Sequence, residues 1–266
     1  MIEIVPGPEE VARLGASLVA ARLIAQAREG TGQISLVLSG GRTPAQLYRF
    51  LAGQAGVEVP WARVAVFWGD ERCVPREDER SNYHLALASG LLTRCFSGIH
   101  RILGELPPEE AADVYEAELK NLLPGDPFPR FDLVLLGLGE DGHLASLFPS
   151  SIESHGEERW VAATEEYMGL RRVTLTLPVL ASARRLLFLV SGQEKARALG
   201  LTLSCSSATD AHRPPARILL DMLAAKALAG SEGPEVTWLV DRAAASLLPP
   251  GSPVDSGSFA GARPLG

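Results

Sequence analysis

Cysteine is scarce in this chain: Cys73, Cys95 and Cys205 are the only three in 266 residues, and their spacing suits no metal-ligand set. An odd, scattered count excludes a disulfide framework and fits a reducing compartment, so each is read as a small buried hydrophobe. No stretch approaches the roughly 20 uninterrupted apolar residues that a membrane helix needs. The opening segment MIEIVPGPEE lacks a basic region followed by an apolar run. The expectation is a cytoplasmic protein with no membrane partner. Positive charge is not in surplus: 25 Lys and Arg stand against 32 Asp and Glu, a net charge of -7, with the signs interspersed. That excludes a nucleic-acid footprint. It leaves room for a small anion, because screening acts over about 8 Å while a bound phosphate feels its nearest arginines and lysines. A G-x-S-x-G nucleophile elbow and a Walker A lysine are both missing, which removes serine-hydrolase and nucleoside triphosphate chemistry.

What is present describes a globular α/β protein. The chain is 46% hydrophobic, and its mean hydropathy is +0.10. Val11, Leu14, Leu18, Val19 and Leu23 recur at helical intervals between Pro8 and Arg28, with Glu9 and Glu10 in the first turn and Gly30 past the end. Short apolar runs without polar alternation follow: ISLVL (34–38), VAVFW (64–68), DLVLL (132–136), VTLTL (173–177), LLFLV (186–190) and VTWLV (236–240). Such runs suit strands covered on both faces. Helical patterns such as AQLYRFLA and EKARALGLTL separate most of them, so the expected architecture is a three-layer α/β/α sandwich on a mostly parallel sheet. One domain is expected over 1–248. The polar segment 204–215 is read as a connection within it, and the Pro-, Gly- and Ser-rich tail 249–266 as disordered.

In open parallel sheets ligands bind beyond the carboxyl ends of the strands, so the strand exits are where chemistry is sought. SGGRTP, Ser39 to Pro44, places Gly40 and Gly41 where the backbone can approach an anion, with Arg42 beside them, Thr43 as helix N-cap and Pro44 as first helical residue. Asp70, Glu71 and Arg72 leave the next run, and Ser81-Asn82 is placed to cap the helix after it. GLGEDG (137–142) fits the dinucleotide spacing G-x-G-x-x-G. A nicotinamide site also needs a helix starting within the glycines, whereas LASLFPSSIESHGEER contains Pro149 and Gly156 and no long amphipathic run. The other reading makes Gly142 part of a turn that presents Asp141 and His143. A histidine titrates near neutrality, and an adjacent carboxylate fixes its tautomer. Arg171, Arg172 and Lys195 supply cations at the later exits, matching the charge of about -1.5 to -2 on a phosphate monoester.

SGGRTP, WGDERCVP with SN soon after, GLGEDGHLASLFP, RRVTLTLPVL, FLVSGQEKA and TWLVDRAAA occur in the order and spacing of the 6-phosphogluconolactonases, which the chain resembles from about Ile34 to Leu247. The resemblance implies a Rossmann-like fold shared with aminosugar-6-phosphate deaminases and with ribose-5-phosphate isomerase and CoA-transferase domains. It also implies hydrolysis of 6-phospho-D-glucono-1,5-lactone to 6-phosphogluconate without metal or organic cofactor. His143 would then be the general base, Arg72 would stand near the lactone or its phosphate, and Asp70 would help to position substrate. Ser39 to Thr43, Arg172 and Lys195 would hold the phosphate, in a monomer or weak homodimer. Three departures stand out: Arg42 where a serine is common, Leu144 where threonine is common, and Met168 to Leu170 in place of a proline-containing approach, which leaves Arg171 and Arg172 both open as the phosphate contact. An aminosugar-6-phosphate deaminase would share the phosphate loop and the DGH element, but typically shows an acid soon after GHIAF. A non-catalytic sugar-phosphate sensor would normally carry a helix-turn-helix.

Overall fold

The most apolar runs form the middle of a parallel sheet. The computed structural model describes residues 1–123, 125, 127–149, 158–204, 213–231 and 233–248. Its main sheet has seven strands, β1 (Ile2–Val5), β2 (Ile34–Leu38), β3 (Val64–Trp68), β5 (Gly98–His100), β6 (Leu133–Leu136), β9 (Arg185–Val190) and β10 (Glu235–Asp241), in the order β1-β10-β9-β6-β2-β3-β5. Every neighbouring pair is parallel. β2 and β3 are buried at every position, as expected of strands covered on both faces. The sheet is flanked by α1 (Pro8–Glu29), α2 (Arg42–Ala52), α3 (Asn82–Ala88), α4 (Pro108–Leu122), α5 (Leu177–Leu180), α6 (Ala196–Leu203) and α7 (Pro215–Leu228). The opening helix begins and ends within a residue of its sequence signals. The tail 249–266, most of the connection 204–215, Cys205, His155 and His212 lie outside the described residues.

Two expectations are corrected. The 173–177 run does not join the main sheet; β8 (Arg172–Leu175) is the middle strand of a small antiparallel sheet with β4 (Asp70–Arg72) and β7 (Val161–Ala163). Its residues 173–175 are buried on both sides, so the run carries no alternation to tell it from a parallel strand. The helix after SGG starts at Arg42 with Gly41 at the N-cap and no side-chain cap, rather than with Thr43 as cap. Thr43 lies inside the first turn, and its hydroxyl is 2.6 Å from that of Ser191.

The order of the strands positions the site. From β2 the chain moves outward to β3 and β5, then returns to β6 on β2's other side, so the sheet switches direction between β2 and β6. A crevice opens at such a point beyond the strand ends. At the same edge Gly69 turns the chain from β3 into β4, its amide donating to the Leu38 carbonyl at 2.9 Å and its carbonyl accepting from Leu175 at 2.8 Å. Two buried tyrosines fasten that edge. The Tyr48 hydroxyl donates to the Ser39 carbonyl and accepts from the Ser39 amide, at 2.6 and 2.8 Å. Tyr115 holds Trp68 the same way, at 3.0 Å for both.

Candidate active site

A cleft of about 650 Å³ occupies the crevice. The exit of β2 lines it with Ser39, Gly40, Gly41, Arg42 and Thr43, the start of the small sheet with Asp70, Arg72 and Arg172, the exit of β6 with His143 and Ala145, and the exit of β9 with Ser191 and Lys195. The structure thus brings together ten of the sequence-predicted residues. Asp141 and Gly142 stand behind His143 rather than on the wall.

The β6 exit is built around the imidazole. His143 Nδ1 lies 2.6 Å from Asp141 Oδ1, which also accepts from the His143 amide at 3.1 Å. Partial burial opposes ionisation of Asp141, but the bonds from His143 outweigh it and bring its pKa down to about 2. An ionised carboxylate only accepts, so Nδ1 carries a proton, which selects the neutral tautomer whose lone pair is on Nε2. The glycines of GLGEDG serve this arrangement: a Cβ on Gly139 would stand 2.6 Å from His143 Cγ, and Gly142 turns at φ +82°, against Pro214. Gly137 has open space around its Cα. The dinucleotide spacing therefore arises from packing of a histidine, and no long helix starts within the glycines. Ala145, two residues on, is held at φ 49°, an uncommon conformation for a residue with a Cβ.

The acidic floor is organised by residues outside the predicted set. Asp70, 5% exposed, accepts from Ser146 Oγ at 2.6 Å through Oδ2 and from Asn82 Nδ2 at 3.1 Å through Oδ1. Asn82 Nδ2 also donates to the Asp70 carbonyl at 2.8 Å, while its buried Oδ1 lies against Gly40 without a hydrogen bond. Glu71 points away from the cleft and caps α3, accepting from the amides of Arg72, Asn82 and Tyr83 and from Ser81 Oγ at 2.7 to 2.9 Å. Burial raises its pKa against those four donors. Ser81 is the N-cap of α3 as the sequence predicted, accepting from the His84 amide at 3.1 Å. Asn82 and Ser146 sit inside the quoted motifs. No periodicity marks them, since the signal is a contact between separate exits.

The cationic wall comes from paired strands. Arg72 and Arg172 are register partners in β4 and β8, and the Nε of each is buried without a hydrogen-bond partner. Burial and the neighbouring Arg72 charge lower the Arg172 pKa, with Asp70 and Tyr167 opposing. Arg171, its neighbour in sequence, turns outward to a bidentate pair with Glu109 and to the Thr164 carbonyl. Alternation along the strand separates them: one face meets the cleft and the other meets α4. Across the cleft, Gly192 donates to both oxygens of buried Asp241, at 3.1 and 3.2 Å, which fixes the turn that carries Lys195. Glu194, 3.7 Å from Arg42, also lines the cleft and was not foreseen. Among the described residues no His, Cys, Asp and Glu cluster could hold a metal ion, and no helix is long and apolar enough to cross a membrane.

Comparison with known proteins agrees with this geometry. The family model described as glucosamine-6-phosphate isomerases/6-phosphogluconolactonase matches residues 6–226. A 6-phosphogluconolactonase of Synechocystis sp. is 37% identical over 224 residues, 82% of this chain and 86% of that protein. One of Mycobacterium tuberculosis is 36% identical over 262 residues, 93% and 98% of the two chains. The structure of the Trypanosoma brucei 6-phosphogluconolactonase superposes with a TM-score of 0.78 at 27% identity, covering 94% of this chain and 98% of that one. A monomeric glucosamine-6-phosphate deaminase, 23% identical with a TM-score of 0.68, shares the fold. Sequence, sheet order and the residues at the crevice lead to one conclusion: the chain belongs to the glucosamine-6-phosphate isomerase/6-phosphogluconolactonase family.

Proposed function

We infer that this protein is a 6-phosphogluconolactonase, an enzyme of the oxidative pentose phosphate pathway that hydrolyses 6-phospho-D-glucono-1,5-lactone to 6-phospho-D-gluconate. The observation that carries the reading is His143, its Nδ1 on an ionised Asp141, on the wall of a cleft that also holds the glycine loop at Gly40 and Gly41, Arg72, Arg172 and Lys195. The names of the relatives support it.

His143 Nε2 takes a proton from water as the water oxygen bonds to C1 of the lactone. Negative charge moves to the carbonyl oxygen, beside Arg72, and Asp141 stabilises the imidazolium. As the intermediate collapses, the bond from C1 to the ring oxygen breaks and His143 returns the proton to that oxygen. One water is consumed, and a hydroxyl and a carboxylic acid result, the latter ionising to release a proton. A lactone is already activated, so a base, a charge partner and an anchor suffice. The amides at Gly40 to Thr43, with Lys195 and Arg172, anchor the phosphate, and Asp70 holds substrate hydroxyls. The protein acts in the cytoplasm, as a monomer or weak homodimer.

The test is hydrolysis of freshly generated lactone above its spontaneous rate by wild type, His143→Ala and His143→Asn, with folding checked by circular dichroism. Loss of about 10² to 10⁴ in kcat in both folded variants is expected. A wild type without acceleration overturns the assignment, and release of ammonia from glucosamine 6-phosphate would replace it with a deaminase. Fully active variants would leave the reaction but remove His143 from it.

A further inference from the structure

Tyr167 belongs to no motif that the sequence singled out, yet its side chain touches three groups of the site. It stands at the foot of a tight hairpin, paired with Leu170 by hydrogen bonds of 3.0 and 3.3 Å. Met168 and Gly169 form the tip at φ 54° and 76°, as in a turn of type I′. Met168 is 84% exposed and pays for that conformation with no packing of its own, so the turn's contribution is to fix where Tyr167 points. The ring stacks on Phe148, with centroids 3.9 Å apart and planes 17° from parallel. His143 meets both rings edge-on, 4.8 Å from Phe148 and 6.1 Å from Tyr167. The Arg172 guanidinium lies over the same pair, 5.3 and 5.7 Å from the two centroids. The Tyr167 hydroxyl is 3.5 Å from Asp141 Oδ2, the carboxylate oxygen that His143 leaves unused.

We propose that Tyr167 is a positioning residue with two separable actions: its hydroxyl orients the carboxylate that holds the base, and its ring holds Arg172 in the cleft. The inference rests on the proposed role of His143. The first action follows from the supply of donors. Asp141 Oδ1 accepts from both the amide and the ring of His143, so rotation of the carboxylate is limited on that side alone, and Tyr167 limits it on the other. The second follows from charge. Arg172 is half-buried beside Arg72, with no hydrogen bond to its Nε, and its guanidinium rests against the stacked Phe148 and Tyr167 rings, 5.3 and 5.7 Å from their centroids, a contact that keeps it in the cleft against that repulsion.

Tyr167→Phe keeps the stack and removes only the hydroxyl, whereas Tyr167→Leu removes both. Steady-state lactone hydrolysis across pH is measured for each, and for each combined with Asp141→Asn. For Tyr167→Phe a loss of about threefold to tenfold in kcat is expected, less than the full worth of a hydrogen bond to a charged group because the 3.5 Å contact is long, with KM unchanged. The acid limb of its kcat/KM profile moves to higher pH, because the Tyr167 hydroxyl no longer shares the negative charge of Asp141 with the imidazole. Tyr167→Leu also raises KM, by about threefold or more as the cation-π contact is lost. In the Asp141→Asn background Tyr167→Phe has no further effect on kcat. The proposal is overturned if Tyr167→Phe matches wild type in kcat and pH profile, or if its loss is undiminished in that background. His143→Asn, run alongside, separates the failures: an active His143→Asn removes the base reading, while an inactive one with a wild-type Tyr167→Phe removes this inference alone.

Discussion

Replacing Gly40 by alanine tests whether the phosphate loop and the acidic floor are one packed unit. A Cβ at Gly40 would lie 2.7 Å from Asn82 Cγ and 2.9 Å from Nδ2, with Oδ1 nearer still. Non-bonded heavy atoms rest at about 3.2 to 3.5 Å and Oδ1 would stand closest of the three, so the amide group would have to retreat by roughly 1 Å. It has nowhere to go cheaply, because Asn82 is fully buried and its Nδ2 is committed to the Asp70 carbonyl and carboxylate. If Asn82 yields, a buried bond to a charged group is lost, at about 1.5 to 3 kcal/mol; if the loop yields, overpacking costs about 1 to 3 kcal/mol. A loss of about 1 to 3 kcal/mol follows, which lowers Tm by roughly 2 to 12 °C in a chain of this size. The companion variant Asn82→Ala removes the obstructing group, so Gly40→Ala should cost little further in that background, and thermal melts of the four proteins give the coupling directly. Lactone hydrolysis should fall about tenfold or more in Gly40→Ala, since either outcome displaces an anchor or Asp70. A single variant melting within about 1 °C of wild type, or a strictly additive double variant, would refute the steric argument.

Other consequences can be measured separately. Asp141 has its pKa drawn down from the ordinary 3.8 to about 2, so it stabilises the folded state above about pH 4 and loses that contribution as pH falls toward 2. Urea titrations should find wild type more stable than Asp141→Asn at pH 6 to 7, with the gap closing between about pH 4 and 2; a gap that widens on acidification would reverse the sign. Arg172→Ala should raise KM about tenfold or more, and Arg171→Ala should leave kcat and KM within about twofold, because Arg171 is spent on Glu109; equal effects would undo the assignment of Arg172 to the cleft. Asp241→Asn leaves the Gly192 amide facing a group that can present a donor, so KM should rise with kcat little changed. A kcat defect at unchanged KM would mean that Asp241 acts elsewhere.

How much could be read beforehand followed from the range of the forces involved. The buried strands β2, β3, β9 and β10 announced themselves because covering both faces demands an unbroken apolar run, and α1 because one buried stripe repeats every turn. β4, three residues long, was invisible: its pairing is antiparallel to β8, far away in sequence, and nothing local requires it. The cleft's charged residues were legible because they follow strands, and strands end at the crevice. Asn82, Ser146 and Tyr167 were not, since each acts by meeting a group from another exit. The choice between Arg171 and Arg172 lay in strand parity, which needed a register that only the small sheet sets.

The grip of Tyr48 on Ser39 has a consequence for how the site meets its ligand. Tyr48 belongs to the helix whose first turn follows the SGG loop, and its hydroxyl returns to the residue where that loop begins, nine positions back. Strand end, loop and first helical turns therefore close into a macrocycle joined by hydrogen bonds. A ring of that kind has few conformations to surrender, so an arriving anion finds the amides already aimed and little of its binding energy is consumed in ordering them.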